Sequence, residues 1–256
     1  FPYHIDEWQH LSLSLYSLEH ISPSFVNPYI ESTPFKYNFE LGFTLFNALL
    51  IFLIPLDPVR LFAILPAFFM SLSTLSFFYL LFQKLDFSQS LLGSLFLIFL
   101  PSNVNITGFW FYTPLSASLP ALFLALGLYV DKGIHWTSLL TAGIVLFLYP
   151  PAFFLLFFVT CVYELLQAQT RTKQGLILGV VLTMILSAIL LNDFTIFTQS
   201  WQKTYAYQYN PFVLLGSVFT VLFAAGTLRT ILYEKQWVVW PAMTGIMLIF
   251  YYLFEY

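Results

Sequence analysis

Charge is the scarcest commodity in this chain of 256 residues: Asp, Glu, Lys and Arg together make up 8% of it, while 59% is hydrophobic. A water-soluble domain averages roughly 25% charged residues, so there is too little charge here to cover a globule of this size in water. Cys161 is the single cysteine, which excludes a disulfide framework within the chain. Basic residues are few, with 9 Lys and Arg against 12 Asp and Glu, and they form no stripe that could neutralise phosphates, so nucleic acid is excluded as a partner. Gly-rich phosphate loops and nucleophile elbows are missing too. What the chain does have is long apolar runs and 31 Phe residues. Its main solvent is expected to be lipid.

A bilayer core of about 30 Å takes about 20 helical residues. Leu61–Phe82 is the clearest crossing, since it contains no charge. Gly175–Leu191, Pro211–Leu228 and Trp237–Phe254 follow closely, and Phe87–Leu100, Leu115–Val130, Trp136–Tyr149 and Ala152–Tyr163 are shorter candidates. Pro150 and Pro151 divide two of these, because proline cannot continue a hydrogen-bonded helix. Continuous apolar runs, unlike the short alternating strands of a barrel, read as helices. The expected fold is an all-α, polytopic transmembrane bundle of about eight spanning helices within a single domain, 1–256. It carries interfacial helices in the first loop, and its abrupt ends at Phe1 and Tyr256 read as those of a piece of a longer chain.

If the eight segments each cross, Lys84, Lys132, Arg171, Lys173, Arg229 and Lys235 share one side, expected to be cytoplasmic. Arg60 and Lys203 fall on the other. A ninth apolar segment, Leu41–Leu56, decides where residues 1–40 lie. Should it cross, Lys36 joins the six; should it not, Lys36 joins Arg60 and Lys203. Its shortness and its closure by Pro55-Leu56-Asp57-Pro58 favour an interfacial or partly inserted helix, with the first loop outside.

That first loop, 1–40, is acidic. It holds Asp6, Glu7, Glu19, Glu31 and Glu40, and also His4, His10 and His20. Asp6-Glu7-Trp8-Gln9 fits a capping box that would start a helix. Trp8, Leu11, Leu15 and Leu18 recur at helical spacing, with Ser12, Ser14, Ser17 and Glu19 elsewhere, so the helix is expected to rest on the membrane surface and end near Ser22-Pro23. A capping role for Asp6 leaves its second oxygen available to a ligand. Asp6 and His10, with His4 and Glu7 nearby, also have the residue types for a divalent cation site, Mg²⁺ or Mn²⁺, although the spacing matches no established zinc pattern.

The order of short motifs is distinctive. An Asp-Glu pair opening a loop helix is followed by Asn27-Pro28-Tyr29, by Phe35-Lys36-Tyr37-Asn38-Phe39-Glu40-Leu41-Gly42-Phe43, by an apolar segment and by Val59-Arg60-Leu61-Phe62-Ala63-Ile64-Leu65-Pro66. Crossings then end in Tyr79-Leu80-Leu81-Phe82-Gln83-Lys84-Leu85 and in Leu100-Pro101-Ser102-Asn103. From residue 4 to about 130 this resembles the N-terminal half of the GT-C superfamily of integral-membrane glycosyltransferases, which includes protein O-mannosyltransferases and lipid A aminoarabinose transferases. The resemblance implies a transmembrane helix upstream of Phe1 and a bacterial or archaeal plasma membrane. It also implies a polyprenyl-phosphate-linked sugar as donor, with a protein, lipid or glycan as acceptor. By position, Asp6 matches the family's catalytic acid and Glu7 its neighbour. Glu40 falls near a second polar point of the loop, where relatives often place His.

The residue types suit that chemistry. An acceptor hydroxyl or amide needs a carboxylate to take or orient its proton, and a departing phosphate needs positive charge. Arg60 and Lys203 could hold the phosphate, although snorkelling of a long cationic side chain at the interface is the commoner explanation for each singly. Residues 192–210, with Trp201, Tyr205, Tyr207 and Tyr209, could contact a sugar, Tyr207 being the chosen candidate; an interfacial aromatic belt explains them as well. Trp110, Tyr112 and Thr113 read as interface anchors in the loop 102–114, and Glu164 as a solvated helix end. The alternative function is a transporter or flippase gated by the first loop, and a third is a purely structural membrane subunit. Transporters place ionisable groups at mid-membrane; here the spans have almost none.

Overall fold

The computed structural model describes residues 5–20, 40–99 and 111–167, with isolated helical positions at 173, 175, 177, 179, 180, 225, 226 and 228; for Ile5, Asp6, Phe99, Val162, Leu166 and Gln167 it describes the backbone alone. The described part is all-helical: α1 (Ile5–His20), α2 (Leu41–Leu53), α3 (Pro58–Phe82), α4 (Phe87–Phe99), α5 (Pro114–Lys132), α6 (Trp136–Leu148) and α7 (Pro150–Gln167). The chain divides into residues 1–156 and 157–256. In the second unit, Lys173 Nζ bonds the Glu164 carboxylate at 2.6 Å, so Glu164 is paired. The expected crossings Gly175–Leu191, Pro211–Leu228 and Trp237–Phe254 lie outside the described residues apart from those isolated positions.

Local chemistry sets the helix starts. Asp57 caps α3 by accepting from Arg60 N–H at 3.1 Å, with Pro58 in the first turn, where a missing N–H costs nothing. Asp86 does the same for α4 through Gln89 N–H at 2.8 Å. Thr113 and Ser116 form a reciprocal capping box for α5, again followed by a proline. Pro150 and Pro151 separate two helices as expected: α6 ends at Leu148 and α7 opens with the two prolines in its first turn. Gly133 ends α5 with φ +69°, a conformation that other L-residues rarely adopt, and its N–H closes on Tyr129 C=O at 2.7 Å.

α3 packs on α4 and α5, α5 on α6, and α1 on α2. Tyr79, close to the end of α3, donates to Asp131 near the end of α5 at 3.4 Å. Tyr112, just ahead of α5, packs on Phe62 and Phe69 in the first half of α3. α3 and α5 therefore run in the same direction, and α6 returns after a three-residue turn. One end of this bundle holds Pro58, Tyr112 and the end of α6; the opposite end holds Lys84, Asp86, Asp131 and Lys132. α2 begins at the first of these ends, where Gly42 meets Phe147 of α6, and packs along the first half of α3.

Apolar side chains such as Phe43, Phe62, Leu65 and Phe69 form the core, but large ones also cover the exterior and small hydroxyls lie inside. Phe52, Leu53, Leu75, Leu139 and Leu140 are exposed, whereas Ser73, Ser90, Ser94, Ser118 and Thr141 are buried. Ser73, Ser94, Ser118 and Thr141 satisfy themselves by donating to carbonyls three or four residues back, at 2.8–3.0 Å. Small groups at helix contacts let backbones approach closely, as they do in lipid. At Gly127 of α5, a Cβ would sit 2.7 Å from the Tyr79 ring. α3 and α5 are each long and apolar enough to cross a membrane.

A cysteine placed at Leu56, exposed at one end, or at Ile134, exposed at the other, checks this directly in a Cys161→Ala background. An impermeant thiol reagent applied to intact cells is expected to label one position and not the other. Labelling of both without permeabilisation would place the two ends on the same side.

Candidate functional site

The end of the bundle that receives α1 is where the polar chemistry gathers. Helix α1 already includes Ile5, so Asp6 stands inside the first turn and not at its cap. The face that α1 buries also differs from expectation. Glu7, His10, Ser14 and Ser17 point inward with Leu11 and Leu13, while Trp8 and Leu18 are exposed. The helix turns Glu7, His10, Ser14 and Ser17 toward the protein, His10 against Phe43 of α2, and leaves Trp8 and Leu18 outward. Where the surroundings are greasy, polar groups bond each other and apolar groups face out.

Glu7 is fully buried, and its Oε1 accepts from the backbone N–H of Tyr112 at 2.6 Å. This bond ties the first turn of α1 to the start of α5, across 105 residues of sequence. Tyr112, expected to anchor at the interface, is instead fully buried, its ring set among Phe43, Phe62 and Phe69 with centroids 5.1–5.4 Å away. Its hydroxyl donates to Asn47 Oδ1 at 2.6 Å. Burial holds that phenol well above its ordinary range, so it stays a neutral donor.

His10 packs its ring edge-on against Phe43, centroids 5.0 Å apart, and its Nδ1 lies 3.9 Å from Glu40 Oε2, too far for a hydrogen bond. Burial lowers its pKa from 6.5 to about 4, so the ring is neutral at physiological pH. The consequence for stability has a definite sign. Above pH 6.5 the ring is neutral whether folded or unfolded. Between 6.5 and about 4 only the unfolded chain takes the proton, so stability falls as the pH drops, by roughly 3 kcal/mol in all. Thermal unfolding of His10→Gln across this range is expected to show a flatter pH profile than the parent.

Glu40 is half-exposed at the start of α2 and lies within electrostatic reach of Tyr149 as well as beside His10. Arg60, in the first turn of α3, is exposed at the same end of the bundle. Thus Glu7, His10 and Glu40 are brought together; Lys203 and Tyr207 lie outside the described residues, as does the Asp6 side chain. For a divalent cation, His10 and Glu40 offer two donors, and no group of three His, Cys, Asp or Glu forms among the described residues. Mg²⁺ and Mn²⁺ ask for a larger, oxygen-rich set, so these residues do not by themselves fit the ion.

Sequence reasoning read Tyr112 only as an interface anchor and passed over Thr44 and Asn47. The signal for the last two was present: Thr44 and Asn47 stand three residues apart in an otherwise apolar helix, one face polar. No protein-family model matches the chain, and no curated protein or solved structure matches it either.

Proposed function

We propose that the chain is a multi-pass membrane glycosyltransferase, in a bacterial or archaeal plasma membrane, that moves a sugar from a polyprenyl-phosphate donor to an acceptor at the outer face. Asp6 is the base and Glu7 is a positioning residue. Glu7 is too enclosed to meet a substrate, but its bond to Tyr112 N–H fixes the first turn of α1, and with it the backbone of the adjacent Asp6, at the end of the bundle. That bond is the observation on which the reading rests.

In the proposed reaction the acceptor O–H or N–H gives its proton to Asp6 as its oxygen or nitrogen bonds the sugar C1. The C1–O bond to phosphate breaks, and its electron pair leaves on the phosphate oxygen. Arg60, exposed at the same end, would counter the phosphate charge, while Glu40 would contact sugar or acceptor. The apolar exterior of α3 suits the carrier's lipid tail. The confinement of α2 to the first half of α3 supports reading it as a partly inserted helix, with the first loop outside. No step is routed through Mg²⁺ or Mn²⁺; chelation with EDTA would reveal a requirement for either. The deciding experiment is transfer from a polyprenyl-phosphate-linked hexose by Asp6→Asn protein whose membrane insertion is intact. Unchanged turnover removes Asp6 from the mechanism.

A further inference from the structure

α1 is anchored near its start and bonded only to itself along the rest of its length. Glu7 Oε1 accepts from Tyr112 N–H at 2.6 Å, and Leu11 enters the core with Phe43, Leu61, Phe62 and Tyr112. Past Leu11 the side-chain hydrogen bonds stay within the helix: Ser12 donates to Gln9 C=O, Ser14 donates to His10 C=O, and the His20 ring meets Tyr16 C=O. Leu18, Glu19 and His20, at its end, are exposed.

The contact that α1 makes is also the least satisfied of those described. Among the described residues, five buried side-chain polar atoms have no hydrogen-bond partner, and four lie on α1 and α2, which pack on each other: His10 Nδ1, Ser17 Oγ, Thr44 Oγ1 and Asn47 Nδ2. Each of these residues is more than nine-tenths buried. Deeper in the bundle the buried hydroxyls of Ser73, Ser118 and Thr141 are paired within their own helices. An unpaired buried polar atom has lost its water and gained nothing for it, and opening the contact gives the water back. Opening of this contact alone rehydrates four such atoms together. Leu13 and Leu15, buried or half-buried on the same helix, oppose it and make the seated helix the major state. Local opening concentrates where such opposing terms nearly cancel.

We propose that α1 is a hinged strap on α2, pivoting on the Glu7–Tyr112 bond and lifting the half that carries Ser14 and Ser17. Lifting admits water to Thr44 and Asn47 while Glu7 keeps the first turn in place. The backbone of Asp6 stays at the pivot, so the strap neither requires nor tests a role for Asp6 as base.

The test is the rate at which a dipyridyl disulfide labels single cysteines in the full chain, held in lipid nanodiscs in a Cys161→Ala background. Ser14→Cys, Ser17→Cys and Ser118→Cys replace serines that are all more than nine-tenths buried, the last of them in α5. Ser17→Cys is expected to react about tenfold faster than Ser118→Cys, with Ser14→Cys between them, because the opening widens away from the pivot. Thr44→Val removes an unpaired hydroxyl at constant shape and favours the seated helix, so it is expected to slow both α1 positions about fivefold. Four results overturn the inference. Ser17→Cys as slow as Ser118→Cys means that the helix does not lift. Ser14→Cys as slow as Ser118→Cys means that only the last turn frays. Equal rates at Ser14→Cys and Ser17→Cys mean that α1 leaves as a whole, without a pivot. Rates unchanged by Thr44→Val mean that the unpaired atoms do not set the equilibrium.

Discussion

Asp6→Asn is expected to reduce sugar transfer by about 10²–10⁴-fold, the range that a positioned general base contributes. Asparagine keeps the size and one acceptor oxygen but cannot take a proton. Because Asp6 lies in the first turn of α1, its negative charge also favours the helix N-terminus, an effect of about 0.3–1 kcal/mol. A residue with that role alone would lower Tm slightly and leave kcat nearly untouched, so kcat and Tm measured together separate the two roles. Glu7 supplies the contrast. Glu7→Gln retains an oxygen to accept from Tyr112 N–H and should cost activity only modestly. Glu7→Leu leaves that N–H buried and unpaired, a penalty of about 1–3 kcal/mol. It should release the first turn of α1 and lower activity through position. Equal losses in Glu7→Gln and Glu7→Leu would show that the Glu7 charge itself is needed.

Gly42→Ala should be the most damaging single-atom addition in the described helices. A Cβ at this position would stand 1.7 Å from the Phe147 carbonyl oxygen and 2.7 Å from its carbon. Both are backbone atoms, so no side chain can swing aside, and α2 must separate from the end of α6. Overpacking of this kind typically costs about 1–3 kcal/mol, and a clash with backbone belongs at the upper end. The movement would carry Glu40 and Phe43 away from His10, so transfer should fall along with Tm. Gly143 of α6 is the control: a Cβ there meets nothing within 4 Å. Gly143→Ala is expected to leave transfer unchanged and to stabilise by about 0.5–1 kcal/mol, through the lower cost of ordering alanine in a helix. Gly42→Ala with a Tm equal to the parent would mean that α2 and α6 do not approach this closely.

Much of the helical framework was legible because apolar run length and breaking residues are local properties. Leu61–Phe82 became α3 with three residues added ahead of it, by the Asp57 cap and Pro58. Leu115–Val130 became α5 between its Thr113 capping box and Gly133. The paired prolines marked the break between α6 and α7, because proline cannot continue a helix from its interior yet suits the first turn of the next one. On α1, helical spacing marked a helix with Trp8, Leu11, Leu15 and Leu18 on its apolar side; Trp8 and Leu18 do face outward, whereas Leu11 and Leu15 pack against the protein.

The sequence alone indicates an all-helical chain with runs long and apolar enough to cross a membrane, made of helices bounded by its prolines, glycines and caps, with five of its twelve acids in residues 1–40. Those conclusions need only the free energy of moving side chains between water and hydrocarbon, summed residue by residue. Pairing of distant groups lay beyond it. Glu7 meets the N–H of Tyr112 from 105 residues away, Tyr112 reaches Asn47, and Gly42 touches the backbone of Phe147. Each contact depends on how two helices are rotated toward one another, a quantity fixed by packing of whole faces and carried by no single stretch of sequence.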